Sequence, residues 1–178
     1  SANNRTRGYD LLTGEQIWEA GGLSKNTIPS PVFANGIVYV ASGYDGEILQ
    51  AIRVTGSKGD ITGTKAIVWG RDKDAPYVPS LLLYGTALYA LKNNKAILSC
   101  FDSKTGNRHY GPERLSNIKG IYASPVGANS KIYLVGRDGN AAVLKHGFEF
   151  EILAENHLDD NFDASPAIID QELYLRGH

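Results

Sequence analysis

Apolar residues in this chain come in short consecutive runs cut by turn residues, and no long window shows helical spacing with caps at both ends. The clearest run is Ile37 to Ser42, preceded by Pro29-Ser30-Pro31-Val32 and by Asn35-Gly36, a strong hairpin signal. Tyr39 lies at its centre between Val38 and Val40, nine residues after Ser30. The same interval returns as Ser80 to Tyr89, Ser124 to Tyr133 and Ser165 to Tyr174, with a proline beside each serine. Self-similarity at a period of about 40 to 50 residues means stacked copies of one supersecondary unit.

Each unit accommodates four strands. The first lies around the Ser-Pro pair, as at Ser30-Pro31-Val32, where proline suits an edge because it cannot donate to a ladder. The second holds the tyrosine: Ile37 to Ser42, Ala87 to Leu91, Lys131 to Val135 and Glu172 to Arg176. These strands are apolar on consecutive residues, which predicts burial on both faces between neighbouring layers. Third strands are expected at Glu47 to Val54, Ala96 to Phe101 and Ala141 to Leu144. Fourth strands are expected around Trp18, Trp69, Tyr110 and Phe150. Between third and fourth strands runs a turn phrase, Asp10-x-x-Thr13-Gly14, which returns as Asp102-x-x-Thr105-Gly106. Asp and Thr can bond that turn's backbone, and Gly supplies its positive φ. Val54 to Lys65 reads as an extended loop. Four short strands per period predict an all-β propeller of four-stranded antiparallel blades.

The expected division of residues 1–178 is a half-blade at 5–20, blades starting near 28, 78 and 122, and a half-blade at 163–176. Net charge is −1, from 18 basic and 19 acidic side chains, which leaves no electrostatic footprint for nucleic acid. No apolar run reaches bilayer length, and Leu81 to Leu91 is interrupted by Gly85 and Thr86. Cys100 is the sole cysteine, so it says nothing about redox compartment.

The serine-proline opening, the apolar-Tyr-apolar strand, the Asp-x-x-Thr-Gly turn and the outer tryptophan resemble the pyrroloquinoline-quinone (PQQ)-type propeller repeat of quinoproteins. The resemblance covers nearly the whole chain and is weakest after Lys145. That family includes non-enzymatic propellers, among them an outer-membrane assembly lipoprotein. It implies seven or eight blades, so part of a larger propeller is the expected reading; a closed four-bladed ring is the alternative. It also implies an extracytoplasmic, periplasmic or secreted setting.

The family's enzymes hold PQQ against a channel tryptophan with calcium nearby, and often carry a pair of adjacent cysteines. Here Cys100 is alone, Trp18 and Trp69 fall at outer-strand positions, and no carboxylate matches the family's base or metal ligands. No cofactor, metal site or catalytic residue is therefore assigned. The cluster Glu155, His157, Asp159, Asp160 and Asp163 lacks the glycine and glutamate of an EF-hand and reads as a solvated loop. The repeated serines read as hydrogen-bonding residues of the inner strand, and G-x-S-x-G is absent. Variation between repeats concentrates just before each serine, at Asn26, Thr27, Tyr77, Tyr122, Asn161 and Asp163. These residues form the expected rim for a protein partner or small ligand. The expected function is a non-enzymatic binding scaffold; the alternative is part of a PQQ- and calcium-dependent oxidoreductase whose catalytic residues lie elsewhere.

Overall fold

The computed structural model describes residues 3–178, and among them every regular element is a strand. In chain order these are β1 (Arg5–Tyr9), β2 (Gln16–Gly21), β3 (Val32–Ala34), β4 (Ile37–Ser42), β5 (Ile48–Arg53), β6 (Gly59–Asp60) and β7 (Ile67–Arg71). Then follow β8 (Leu82–Tyr84), β9 (Ala87–Leu91), β10 (Ile97–Asp102), β11 (Arg108–Arg114), β12 (Val126–Ala128) and β13 (Lys131–Val135). The last are β14 (Asn140–Lys145), β15 (Ile152–His157), β16 (Ala167–Ile169) and β17 (Glu172–Tyr174). No helix is long and apolar enough to cross a membrane.

Three sheets are complete four-stranded meanders: β3-β4-β5-β7, β8-β9-β10-β11 and β12-β13-β14-β15. All their pairings are antiparallel. The first two strands of each are joined by a two-residue turn; Asn35 and Gly36 both take positive φ there, at 52° and 76°. At the two ends, β1-β2 and the hairpin β16-β17 stand in separate sheets.

The sheets stack face to face, and the alternation along each strand decides which neighbour a residue meets. Tyr39 and Ala41 of β4 join Leu88, Ala90 and Phe101 in one buried cluster. Val40, between them, joins Trp18, Ala20 and Ile52 in another. Ala87, Tyr89 and Leu91 face Ile132, Leu134, Ala142 and Leu144 of the following sheet. The consecutive apolar run is thus explained by two buried faces, as its pattern predicts. Between sheets, the strands in closest register are the first ones, β3 with β8 and β8 with β12. Meanders that touch at their first strands and diverge outward form a fan.

The repeated serines hold the inner edge of that fan. The backbone N–H of Ser30 donates to Ser80 Oγ, that of Ser80 to Ser124 Oγ, and that of Ser124 to Ser165 Oγ, each at 2.9 Å. Every serine of this ladder precedes its strand, so its N–H is free to leave the meander and bond the next one.

Five details depart from the sequence reading. Ser30-Pro31 lies outside the first strand, which begins at Val32, and β17 ends at Tyr174 before Leu175 and Arg176. Phe150 precedes the outer strand, which is Ile152–His157. Glu155 and His157 consequently sit on β15 instead of in a loop; Asp159, Asp160 and Asp163 do follow it. Finally, the Val54 to Lys65 segment contains β6, which pairs parallel with β2 through Trp18↔Gly59 and Glu19↔Asp60. Its insertion packs Ile61 beside Trp18 and gives the two-stranded β1-β2 sheet a third member.

Candidate functional site

The rim is built by two kinds of segment, the stretch before each serine and the turn joining second to third strands. The turns of the three complete sheets each reach one of these stretches. Tyr44, from the turn after β4, lies against Tyr77 with ring centroids 5.4 Å apart, and Asn26 Nδ2 donates to the Tyr77 hydroxyl at 2.8 Å. Asn94, from the turn after β9, accepts from Val78 N–H through Oδ1 at 3.2 Å, and its carbonyl accepts from Ile121 N–H. Arg137, after β13, donates its backbone N–H to the Gly120 carbonyl at 2.9 Å.

Arg137 brings together the residues of one such junction. Its guanidinium lies 4.1 Å from the Tyr122 ring centroid. It also donates through Nε and Nη2 to the two carboxylate oxygens of Asp163, at 2.6 and 3.2 Å. A planar fork held by a ring below and a carboxylate in front has little rotational freedom left. His178 Nε2 approaches the same carboxylate at 3.5 Å. The Arg137 fork holds Asp163 below the usual carboxylate range, and Asp163 in turn raises Arg137.

Beside the pair opens a cleft of about 640 Å³ lined by Lys119, Gly120, Arg137, Asp138, Asn161, Asp163 and His178. Burial pushes the Asp138 carboxyl up, but bonds from Asn140 Nδ2 and the Lys119 N–H outweigh it and leave its pKa lowered. Asp138 Oδ1 is enclosed and accepts no hydrogen bond among the described residues.

The predicted rim residues thus separate into two groups. Asn26 and Tyr77 meet at one junction, and Thr27 Oγ1 turns back to the Ser24 carbonyl at 3.3 Å. Tyr122, Asn161 and Asp163 meet around Arg137 at another. Sequence reasoning missed Arg137, Lys119, Asp138 and His178. Arg137, Asp138 and Gly139 lie in the turn between β13 and β14. The available signal was that Tyr44, Asn94 and Arg137 occupy comparable turns and differ as much as the rim stretches do.

The tryptophans serve the contacts between sheets. Trp69 Nε1 donates to the Ser103 carbonyl at 2.9 Å and its ring covers Gly106, so it docks on the Asp-x-x-Thr-Gly turn of the following sheet. Trp18 is buried in the cluster with Val40 and Ile52. No group of three or more His, Cys, Asp or Glu side chains that could hold a metal occurs among the described residues. Trp18 lies on β2 and Trp69 on β7, and both are taken up by these contacts between sheets.

A fan of four-stranded antiparallel meanders is a β-propeller, and solved structures with that fold superpose on this chain. The computationally designed Ika8 protein matches with a TM-score of 0.72 at 14% identity, over 97% of this chain and 49% of its own. This chain therefore spans about half of that one. The designed Ika4 protein matches at 0.68 and 12% identity, over 93% of both chains. The quinohemoprotein alcohol dehydrogenase from Comamonas testosteroni matches at 0.54 and 16% identity, over 74% of this chain and 21% of its own. No family model and no curated protein matches the sequence. At these identities the likeness shows the fold alone.

Proposed function

We propose that this chain is a PQQ-like repeat propeller module acting as a non-enzymatic binding scaffold, with a protein partner or small ligand seated on the rim around Tyr122, Arg137 and Asp163. The observation that carries this reading is the Arg137 fork, immobilised by Tyr122 and Asp163 at the wall of a cleft. An immobilised arginine loses little side-chain entropy on binding, which is why such residues serve as interface anchors. Asn161 belongs to the same wall, while Asn26, Thr27 and Tyr77 extend the surface along the rim. The quinoprotein-like fold supports an extracytoplasmic setting, periplasmic or secreted.

Affinity capture from an envelope extract tests the scaffold reading, comparing the wild type with Arg137→Ala and Tyr122→Ala. Capture by the wild type, reduced about tenfold or more by either variant, is expected, since an anchor residue is worth about 2 kcal/mol or more. Capture unchanged in both variants would remove the rim from the account. Dye reduction in the presence of PQQ and calcium covers the oxidoreductase reading, and activity above background would overturn the scaffold assignment.

A further inference from the structure

The charges around the rim cleft are not equally free. Asp163 places both carboxylate oxygens on the Arg137 fork, at 2.6 and 3.2 Å, and faces His178 as well. Asp138 Oδ2 accepts from Asn140 Nδ2 at 2.9 Å and from the Lys119 N–H at 3.3 Å. Its Oδ1 is enclosed beside Gly136, where a Cβ would stand 2.7 Å from it. Both acids of the cleft are therefore committed to groups of the protein.

The cations are not. A guanidinium carries five N–H donors and Asp163 takes two, which leaves Arg137 both hydrogens of Nη1 and one of Nη2. Lys119 is exposed, and its ammonium is in no ion pair among the described residues. Asn161 lies in the same wall, and only its backbone N–H is engaged, with Asp160 Oδ1 at 2.7 Å. What the cleft has to spare is positive charge and donors.

We propose that this cleft receives a carboxylate, bound by the Lys119 ammonium and the remaining N–H groups of Arg137, with the Asn161 amide as a neutral donor beside them. The proposal deepens the scaffold reading and rests on it, since it names what the rim recognises. A planar guanidinium matches a carboxylate in shape as well as charge. Tyr122, with its ring centroid 4.1 Å from the guanidinium carbon, fixes that plane before the ligand arrives. An amine or a metal cation would meet the reverse, free positive charge and no spare acid. The carboxylate belongs either to an acidic side chain of a protein or to a free small acid, and the two are separable by titration.

Nitrogen-15 chemical shifts of the 178-residue chain, followed at constant ionic strength, give the test. The probes are succinate, a blocked glutamate-rich peptide, the amide counterpart of each, and inorganic phosphate. Saturable shifts at Lys119, Gly120 and Arg137 Nε with the acids, and none with the amides, are expected. Lys119→Gln should weaken the acids about tenfold, the worth of one charge-assisted hydrogen bond. Lys145→Gln, in a pair with Glu151 outside the cleft, should leave their affinity unchanged. Saturation by the peptide at lower concentration than succinate assigns the carboxylate to a protein partner, and the opposite order assigns it to a small acid. No shifts with either acid, equal shifts with the amides, phosphate binding as tight as the acids, or an affinity indifferent to Lys119→Gln would each overturn the proposal. Its failure is distinct from failure of the rim reading. Capture weakened in Arg137→Ala and Tyr122→Ala beside silent acid titrations overturns the carboxylate and keeps the rim. Capture unchanged in both beside saturating titrations removes the captured partner from the rim and keeps the carboxylate site.

Discussion

Replacing Ser124 by alanine tests the inner ladder at its middle rung. The Ser80 N–H donates to Ser124 Oγ at 2.9 Å in a partly buried setting, and the substitution removes its acceptor while leaving backbone and packing in place. A donor left without a partner costs about 1–3 kcal/mol, with the lower half of that range appropriate where water can partly enter. For a chain of 178 residues each kcal/mol lowers Tm by about 2–4 °C, so a fall of about 3–6 °C is expected. In urea the midpoint should drop at unchanged slope, since the exposed area on unfolding is the same. Ser124→Thr keeps the oxygen and should recover most of the loss. Ser57→Ala is the reference, because its hydroxyl donates to the Arg53 carbonyl at 2.7 Å on the exposed surface and should cost less than about 0.5 kcal/mol. If Ser124→Ala unfolds within about 0.3 kcal/mol of the wild type, the ladder does not hold the sheets together.

Other perturbations test neighbouring parts of the account. Gly106→Ala puts a Cβ 2.7 Å from Trp69 Cδ2 at a φ of +71°. Left-handed strain and overpacking together should destabilise by about 2–4 kcal/mol in the same urea assay. Asp74, buried beside Arg108 and Lys92 with its N–H donating to Glu47 Oε2 at 2.5 Å, should cost about 1–3 kcal/mol as Asp74→Ala, since the partly exposed Arg108 loses its carboxylate while Lys92 keeps Glu47 at 3.3 Å. Burial raises the Cys100 thiol to about 12, so a thiol reagent should leave it unmodified in native protein at pH 8 and label it fully in denaturant. Burial pushes the Asp102 carboxyl up, but bonds from the Thr105 and Lys104 N–H groups outweigh it and hold it low. A depressed folded-state pKa contributes stability above the unfolded value of about 3.9 and loses it as pH falls through the folded value. Unfolding midpoints should therefore decline below about pH 4, and less steeply in Asp102→Asn.

The strands were legible because their pattern has one physical cause. Tyr39, Tyr89 and Tyr133 sit in runs buried on both sides, and the strands around them run Ile37–Ser42, Ala87–Leu91 and Lys131–Val135, as their apolar residues mark out. The fourth sheet strand was less legible near Phe150. That aromatic precedes β15, whose residues are all exposed, so no burial pattern marks the strand in sequence. Nor could the parallel pairing of β6 be read, because Gly59 and Asp60 carry no strand propensity and are held by Trp18 and Glu19 of a strand about 40 residues earlier. The serines were readable as hydrogen-bonding positions but their partners were not, since each bond spans a whole repeat. Variation between repeats singled out Tyr122 and Asp163, which the structure brings together at Arg137. Arg137 escaped because a charge in a turn looks like ordinary surface until its stacking on Tyr122 is seen.

Nuclear Overhauser contacts across the inner ladder test the central arrangement most directly. Separate sheets linked at their inner serines predict cross-peaks from the Ser30 amide to Ser80 Hβ, from Ser80 to Ser124 Hβ and from Ser124 to Ser165 Hβ. Absence of these contacts, with the strands of Tyr39, Tyr89 and Tyr133 paired to one another in a single continuous sheet, would contradict it.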